Sequence, residues 1–245
     1  MAAIITITSG NIDESQNPIF MATGSTTAGN QSSADGITWA ARTMPSAIAW
    51  TGLSYGLGLA VAVGTGTAGV ATSPDGTTWT ARTMPSAAVW YAIAFSGSRF
   101  VTVSNGSTAA AYSDDGFTWT ASTMSLSGAW KSIAYGNGKF AAVDNVSGTN
   151  TIRTCTSTDG ITWTNQSYTL TCTGTWTSIT FGNGKFVAVC SGGTVAAEST
   201  DGINWTARTL PASKLWNSVC YGQNGFFAIP SDAANTVAAF STNLS

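Results

Sequence analysis

The sequence predicts an all-β protein, a six-bladed β-propeller of four-stranded antiparallel blades. The first observation is a box of seven residues that recurs five times and ends in a tryptophan, which we call the box tryptophan. The boxes are SADGITW at Trp39, SPDGTTW at Trp79, SDDGFTW at Trp119, STDGITW at Trp163 and STDGINW at Trp205. Successive box tryptophans are 40, 40, 44 and 42 residues apart. A long, regular period of this kind indicates a repeat architecture, and about 41 residues is the size of one four-stranded blade.

The second observation is another tryptophan series, the inner tryptophans. They are Trp50, Trp90, Trp130, Trp176 and Trp216. Each follows its box tryptophan by 11 residues, or by 13 in the fourth copy, and the two series account for all 10 tryptophans. We expect each inner tryptophan to open the innermost strand of a blade.

The third observation is the order of strand and turn signals within each unit. The first strand is of the type SIAYG, the second of the type KFVAV, the third of the type AAYS, and the fourth begins at the TW pair and continues through TARTMP. Gly-Asn-Gly marks the first turn and Asp-Gly the third, and both are hairpin signals. Valine, isoleucine, threonine and aromatic residues fill the runs between them, as in strands, and no sustained helical period is present.

Six copies of the second-strand pattern give the number of units. They lie near Phe20, Ala60, Phe100, Phe140, Phe186 and Phe226. The sequence therefore predicts one propeller domain over residues 1–245. Its units are approximately 4–44, 45–84, 85–124, 125–170, 171–210 and 211–245. A two-sheet sandwich is the alternative, and the regular period argues against it.

Composition excludes several classes of function. The chain has 9 basic and 11 acidic residues, a net charge of −2 and no histidine. Nucleic-acid binding needs clustered lysine and arginine, so no nucleic-acid partner is expected. Histidine-based catalysis and imidazole metal sites are excluded, and we expect no metal and no cofactor. No apolar run is long enough to span a membrane, and the start of the chain lacks the pattern of a signal peptide.

The S-x-D-G-x-T-W boxes resemble Asp-box repeats, also called bacterial neuraminidase repeats, of sialidase-like propellers. Together with GNGKFVAV and STDGITWTARTLP, the pattern also resembles repeat propellers of phage tail and virion proteins, over essentially the whole chain. The usual Asp box has one more residue between aspartate and glycine. The resemblance implies a propeller fold, whereas its implications for activity are weak because such propellers include enzymes, binding proteins and structural proteins.

The box aspartates are predicted to be structural turn residues. They are Asp35, Asp75, Asp115, Asp159 and Asp201. Each can accept hydrogen bonds from the backbone of its own turn, and one per blade cannot converge on one site. The arginines Arg42, Arg82 and Arg208 share one register on the outer strand, unlike the convergent arginines of sialidases. We therefore expect no catalytic residues and no enzymatic activity.

The inner tryptophans allow two interpretations. In the first, Trp50, Trp90, Trp130, Trp176 and Trp216 seal the seams between neighbouring blades. In the second, they are ligand-binding residues whose exposed faces stack on sugar rings, and the repeated sites provide avidity. Length variation adds Asn145 and Asn150 as candidate ligand-binding residues, because four extra residues enlarge their loop and variable loops on a repeated scaffold often carry function.

The four cysteines occupy different repeat positions. A chain of this length has a core that needs no disulfide framework, and no C-x-x-C spacing indicates zinc. Free, mostly buried thiols are expected, and Cys155–Cys172 is the pair to check first for a disulfide.

Two classes of function remain. The first is a virion component, such as a tail, fibre or head-surface attachment protein, located in the extracellular particle and contacting other virion proteins or the host. The second is a carbohydrate-binding lectin that binds a host glycan, and a sialidase-like hydrolase is a distant third. The sixth unit stops before its box tryptophan, so its third strand, Thr236–Thr242, is predicted to be an edge open to a neighbouring chain.

Overall fold

The computed structural model describes residues 8–9, 20–24, 30–66, 69–145, 151–170, 172–222, 225–232 and 238–241. These residues form antiparallel strands and contain no helix. They fall into two compact units. Unit 1 comprises residues 1–105 and 109–123, and unit 2 comprises residues 106–108 and 124–245. Among these residues, no helix could cross a membrane.

Unit 1 contains the strands of the first three predicted repeats. They are β1 (Thr8–Ser9), β2 (Phe20–Ala22), β3 (Gln31–Ser33), β4 (Ala40–Ala41), β5 (Trp50–Gly56), β6 (Leu59–Gly66), β7 (Val70–Ser73), β8 (Thr80–Arg82), β9 (Ala88–Phe95), β10 (Phe100–Ser113) and the start of β11 (Thr120–Gly136). Strands β1 to β4 pair in sequence order, as do β5 to β8. Strand β9 pairs with both β10 and β6.

Unit 2 continues the same pattern. Its strands are the remainder of β11, β12 (Lys139–Asp144), β13 (Thr151–Ser157), β14 (Thr164–Thr169), β15 (Thr175–Gly182), β16 (Lys185–Ser199), β17 (Thr206–Gly222), β18 (Gly225–Pro230) and β19 (Ala239–Ser241). Strands β11 to β14 pair in order, and so do β15 to β19. This is the strand order that the sequence predicts, and it is consistent with six blades.

Tight turns set the registers of the inner hairpins. Between β11 and β12, Asn137 and Gly138 have φ of 47° and 74°, and Asn183 and Gly184 repeat this geometry between β15 and β16. Two successive residues with positive φ characterise the type I′ turn, whose twist matches that of paired strands. The Gly-Asn-Gly signal therefore has the structural role that the sequence predicts.

Strands β16 and β17 are longer than one blade requires. Strand β17 begins as the outer strand of the fifth repeat and ends as the inner strand of the sixth, since its first residues pair with β16 and its last with β18. Strand β16 contains both the second and the third strand of its repeat, joined by register shifts around Gly193. Neighbouring repeats within unit 2 are therefore connected by continuous backbone.

Each unit has apolar cores between consecutive repeats. Unit 1 has one core around Trp50 and one around Trp90, and unit 2 has one around Trp176 and one around Trp216. Successive side chains of a strand point to opposite faces of its sheet. One set therefore packs against the preceding repeat and the other set packs against the following repeat. Four inner tryptophans thus lie in cores that hold consecutive repeats together.

Candidate functional site

The box aspartates each hold a turn of their own. In the third box, Asp115 Oδ1 accepts hydrogen bonds from the backbone N–H groups of Phe117 and Thr118, both at 2.7 Å, and from the Ser113 hydroxyl at 2.9 Å. Gly116 follows with φ of 78°, a conformation that glycine adopts without strain. The other four boxes have the same bonds from the residues two and three positions after the aspartate, with N–O distances of 2.7–2.8 Å.

These hydrogen bonds make the box carboxyls more acidic. Hydrogen bonds from the backbone of Thr38 and Ile37, and then from Ser33, lower the pKa of Asp35 from 3.8 to about 2. Since the carboxylate is favoured in the folded state, its contribution to stability is present above about pH 4 and is lost as the pH falls towards 2. The Asp35 carboxylate therefore fixes the backbone conformation of its own turn.

Replacing Asp115 with alanine is expected to lower the free energy of unfolding by about 1 to 2 kcal/mol, because two backbone N–H groups lose a charged acceptor. Asp115→Asn is the matched control, since its amide oxygen can still accept both bonds. Chemical denaturation of the two variants checks this. A loss of binding with an unchanged free energy of unfolding would contradict the interpretation of Asp115 as a turn residue.

The inner tryptophans are buried. Trp50, Trp90, Trp130, Trp176 and Trp216 each have at most 1% of their surface exposed. In unit 2, Trp176 Nε1 donates to the Thr151 carbonyl at 3.0 Å, and Trp216 Nε1 donates to the carbonyls of Gly193 and Ala212. Stacking on a sugar needs an exposed indole face, so this burial corrects the interpretation of the series as sugar-stacking residues.

The remaining predicted residues do not form a shared site among the described ones. Arg42 Nε donates to Ser32 Oγ at 2.7 Å and Arg82 Nε to Thr72 Oγ1 at 3.0 Å, so each arginine is bound to the third strand of its own repeat. Asn145 is half-buried, and its backbone N–H donates to the Ala129 carbonyl. Asn150 lies outside the described residues, as do residues 1–7, 233–237 and 242–245. The prediction of an edge over Thr236–Thr242 can therefore be examined only at residues 238–241.

The cysteine expectation is wrong for one pair. Cys172 and Cys190 form a disulfide with a Cα–Cα distance of 6.3 Å, whereas Cys155 and Cys220 are free. Cys172 lies in the segment that leads into β15, and Cys190 lies on β16, directly opposite Trp176. Pairing of β15 with β16 thus brings together two cysteines from different repeat positions, a contact that repeat alignment alone does not reveal.

Comparison of the apolar cores reveals a further candidate site. In three cores a box tryptophan packs among the strands of two consecutive repeats: Trp79 beside Trp50, Trp119 beside Trp90, and Trp205 beside Trp176. The core around Trp216 has the same arrangement of aliphatic residues but includes no box tryptophan.

A cavity of about 410 Å³ lies beside this fourth core. We call it the open cleft. Its apolar lining residues are Val187, Val189, Ala196, Ala207, Leu210, Pro211, Val219, Phe226, Ala228, Ala239 and Phe240, and Arg208, Thr209 and Ser241 are its polar ones. Backbone and side chains of 207–211 form one wall and β19 forms another. Strand β19 pairs with β18 and is the last strand of its sheet among the described residues. The cleft therefore lies between residues 207–211 of β17 and β19.

A charged cluster lies beside the open cleft. Arg208, which lines the cleft, donates from Nη2 to Glu198 Oε1 at 2.6 Å, and Lys185 Nζ lies 3.2 Å from Glu198 Oε2. The Glu198 side chain is only 10% exposed. The carboxylate is thus held by two cations, of which Arg208 lines the cleft.

Sequence reasoning missed the cavity. Recognising it required knowing that a box tryptophan packs against the preceding repeat, which only the three-dimensional contacts show.

The chain resembles solved propeller-like structures. Virginiamycin B lyase from Staphylococcus aureus superposes with a TM-score of 0.75 at 12% identity, covering 97% of this chain and 83% of the lyase. The GH74 enzyme of Niastella koreensis gives 0.65 at 18% identity, covering 98% of this chain and 36% of the enzyme. A chain of the nidogen/laminin complex gives 0.63 at 12% identity, covering 86% and 84%. No protein-family model and no curated protein sequence matches the chain.

These likenesses establish a propeller-type fold and correct one expectation. The sequence-based expectation that the chain is not an enzyme is contradicted, because proteins that share its fold include a lyase and a GH74 enzyme. The physical reason is that regular turn residues say little about catalysis, which propellers can place in variable loops. At 12% and 18% identity the likeness extends to the fold alone, and it assigns no reaction to this chain.

Proposed function

We propose that the protein is an attachment propeller of a virion, at a tail, fibre or head surface, that contacts other virion proteins or the host surface. The observation that carries the proposal is a group of exposed apolar side chains on β18 and β19, beside the open cleft.

The side chains around β19 support the same function. Ala239 and Phe240 both line the cleft, and the ring centroid of Phe240 lies 4.5 Å from that of Phe227. Phe240 and Ile229 are each 55% exposed. Large apolar side chains grouped on a protein surface are characteristic of protein–protein contacts.

The sequence pattern supports a role in a virion. The boxes and the GNGKFVAV segments resemble repeat propellers of phage tail and virion proteins, and the chain has few charges and many small polar residues. The lectin alternative depended on exposed inner tryptophans. Because these are buried, the proposal concerns protein partners.

The test is site-specific crosslinking in purified particles. A photoreactive phenylalanine analogue at Phe240 is expected to crosslink to a virion structural protein, identified by mass spectrometry. The matched control is the same analogue at Phe117, which is 42% exposed on a box turn and is expected to give no crosslink. Absence of the protein from purified particles, or equal crosslinking from both positions, would refute the proposal.

A further inference from the structure

We infer that Arg42, in the segment after β4, binds a carboxylate side chain from an acidic segment of a partner protein. Residues 41–47 line a cavity of about 430 Å³ in unit 1, which we call the loop cavity. This site goes beyond the apolar group on β18 and β19. The argument comes from the fifth repeat, in which the chain supplies a carboxylate to the corresponding arginine.

The fifth repeat provides the template. There Arg208 Nη2 donates to Glu198 Oε1 at 2.6 Å. Pairing of β16 with β17 places Ala196 opposite Arg208 and Glu198 opposite Thr206. An arginine in this register therefore reaches the third-strand residue that lies two positions beyond its own cross-strand neighbour.

The first repeat has the same register without the carboxylate. Arg42 occupies the position of Arg208, and Ser32 occupies that of Glu198, directly before the box. Arg42 Nε donates to Ser32 Oγ at 2.7 Å, so the side chain again reaches the third strand. A hydroxyl carries no charge, so it orients the guanidinium without neutralising it. Among the residues that the structure describes, Arg42 forms no ion pair, whereas Arg208 does.

The loop cavity gives a partner access to this guanidinium. Arg42 is half-buried, and its backbone N–H donates to the Asn30 carbonyl at 2.8 Å, which fixes the start of the segment. With Nε bonded to Ser32, the Nη donors of Arg42 can still bind both oxygens of a carboxylate. Thr43 and Ser46 also line the cavity and carry hydroxyl donors. The arrangement is therefore suited to an aspartate or glutamate side chain.

The template and the lining indicate a protein partner. In the fifth repeat the anion accepted in this register is a glutamate carboxylate on an extended strand. Met44 and Pro45 line the loop cavity and can contact the methylene groups of such a side chain. Their side chains are poor hydrogen-bond partners for the hydroxyls of a sugar. We therefore assign the site to an acidic protein segment rather than to an acidic glycan.

A nuclear magnetic resonance titration tests the inference. The probe is a capped pentapeptide of three glutamates between two glycines, added to the ¹⁵N-labelled full-length protein. Saturable shifts are expected for the Arg42 Nε–H signal, which is assigned by its loss in Arg42→Gln. The same peptide with glutamine in place of glutamate is expected to bind at least about 10-fold more weakly, because hydrogen bonds to a charged acceptor are the stronger ones.

Two arginine variants identify the residue responsible. Arg42→Gln is expected to weaken binding of the glutamate peptide by about 10-fold or more, measured from the backbone signals of residues 41–47. Arg82→Gln is the matched control, because Arg82 Nε also donates to a third-strand hydroxyl, that of Thr72. The Arg82 guanidinium, however, lies over the Phe117 ring and outside the loop cavity. Its loss is expected to change the affinity less than about 2-fold, since salt screens distant charges.

Ser32→Glu tests the comparison with the fifth repeat directly. The new carboxylate corresponds to Glu198 and is expected to pair with Arg42, which weakens peptide binding by about 10-fold or more. Thermal unfolding shows whether each variant is folded, and Arg42→Gln decides the question if Ser32→Glu does not fold.

Three results would overturn the inference. The first is equal affinity for the glutamate and glutamine peptides, and the second is an equal loss of affinity in Arg42→Gln and Arg82→Gln. The third is tighter binding of N-acetylneuraminic acid or inorganic phosphate than of the glutamate peptide, which would reject the protein partner. The Phe240 crosslink is a separate measurement, so failure of the attachment proposal leaves each of these results interpretable.

Discussion

Trp176→Ala is expected to lower the free energy of unfolding by about 3 to 5 kcal/mol, one of the two largest effects anticipated for a single substitution in this chain. The indole is 1% exposed and packs among Ile179, Phe186 and Trp205. Its removal leaves a cavity in a core shared by two repeats, and the Thr151 carbonyl loses its indole donor. Chemical denaturation monitored by circular dichroism measures the change.

A box tryptophan with partial exposure provides the control for Trp176. Trp39 is half-buried, and its Nε1 donates to Gly36 within its own turn. Trp39→Ala is therefore expected to lower the free energy of unfolding by less than half as much as Trp176→Ala. If the two variants lose the same stability, the inner tryptophans do not have the special role in the cores that their burial indicates.

Arg153→Ala is expected to have a comparably large effect, about 3 to 5 kcal/mol. Arg153 Nη2 forms an ion pair with Oδ2 of Asp144, whose side chain is 0% exposed. Oδ1 of the same carboxylate accepts the Ala129 N–H at 3.0 Å. Loss of the guanidinium leaves a buried carboxylate without its cation. This destabilises the folded state far more than the loss of a solvent-exposed ion pair does.

A double-mutant cycle tests the cause of this effect. Asp144→Asn combined with Arg153→Ala is expected to recover much of the lost stability, because the neutral amide can still accept from Ala129. The surface pair of Arg99 and Asp114 is the control: Asp114 is 59% exposed, and Asp114→Ala is expected to cost no more than about 1 kcal/mol. Additive effects at Asp144 and Arg153 would contradict the buried-pair explanation.

Local signals in the sequence were sufficient to predict the strand order and the turns. Gly-Asn-Gly at 136–138 and the Asp-Gly pair at 115–116 specify backbone conformations through residues adjacent in sequence, so they can be identified without the fold. The burial of the inner tryptophans was one of two interpretations, because a repeated aromatic residue has the same spacing whether it packs inward or faces solvent.

Features that depend on contacts between distant residues could not be predicted. The segment Ser-Gly-Gly-Thr at 191–194 reads as a turn, yet it continues β16 through two register shifts because β17 pairs alongside it. The disulfide between Cys172 and Cys190 depends on the path of the segment before β15. The open cleft could be identified only by comparing apolar cores, whose residues lie dozens of positions apart in the sequence.

The box turns are self-contained, and this has an evolutionary consequence. Every hydrogen bond that holds the Asp115 turn comes from a residue within three positions of it, so a duplicated repeat carries its complete turn wherever it is inserted. Three copies also carry a box tryptophan that packs in the core shared with the preceding copy, Trp79, Trp119 and Trp205. Unequal recombination between the repeated gene segments can therefore add or delete a whole repeat together with its turn, and related proteins are expected to differ in length by multiples of one repeat.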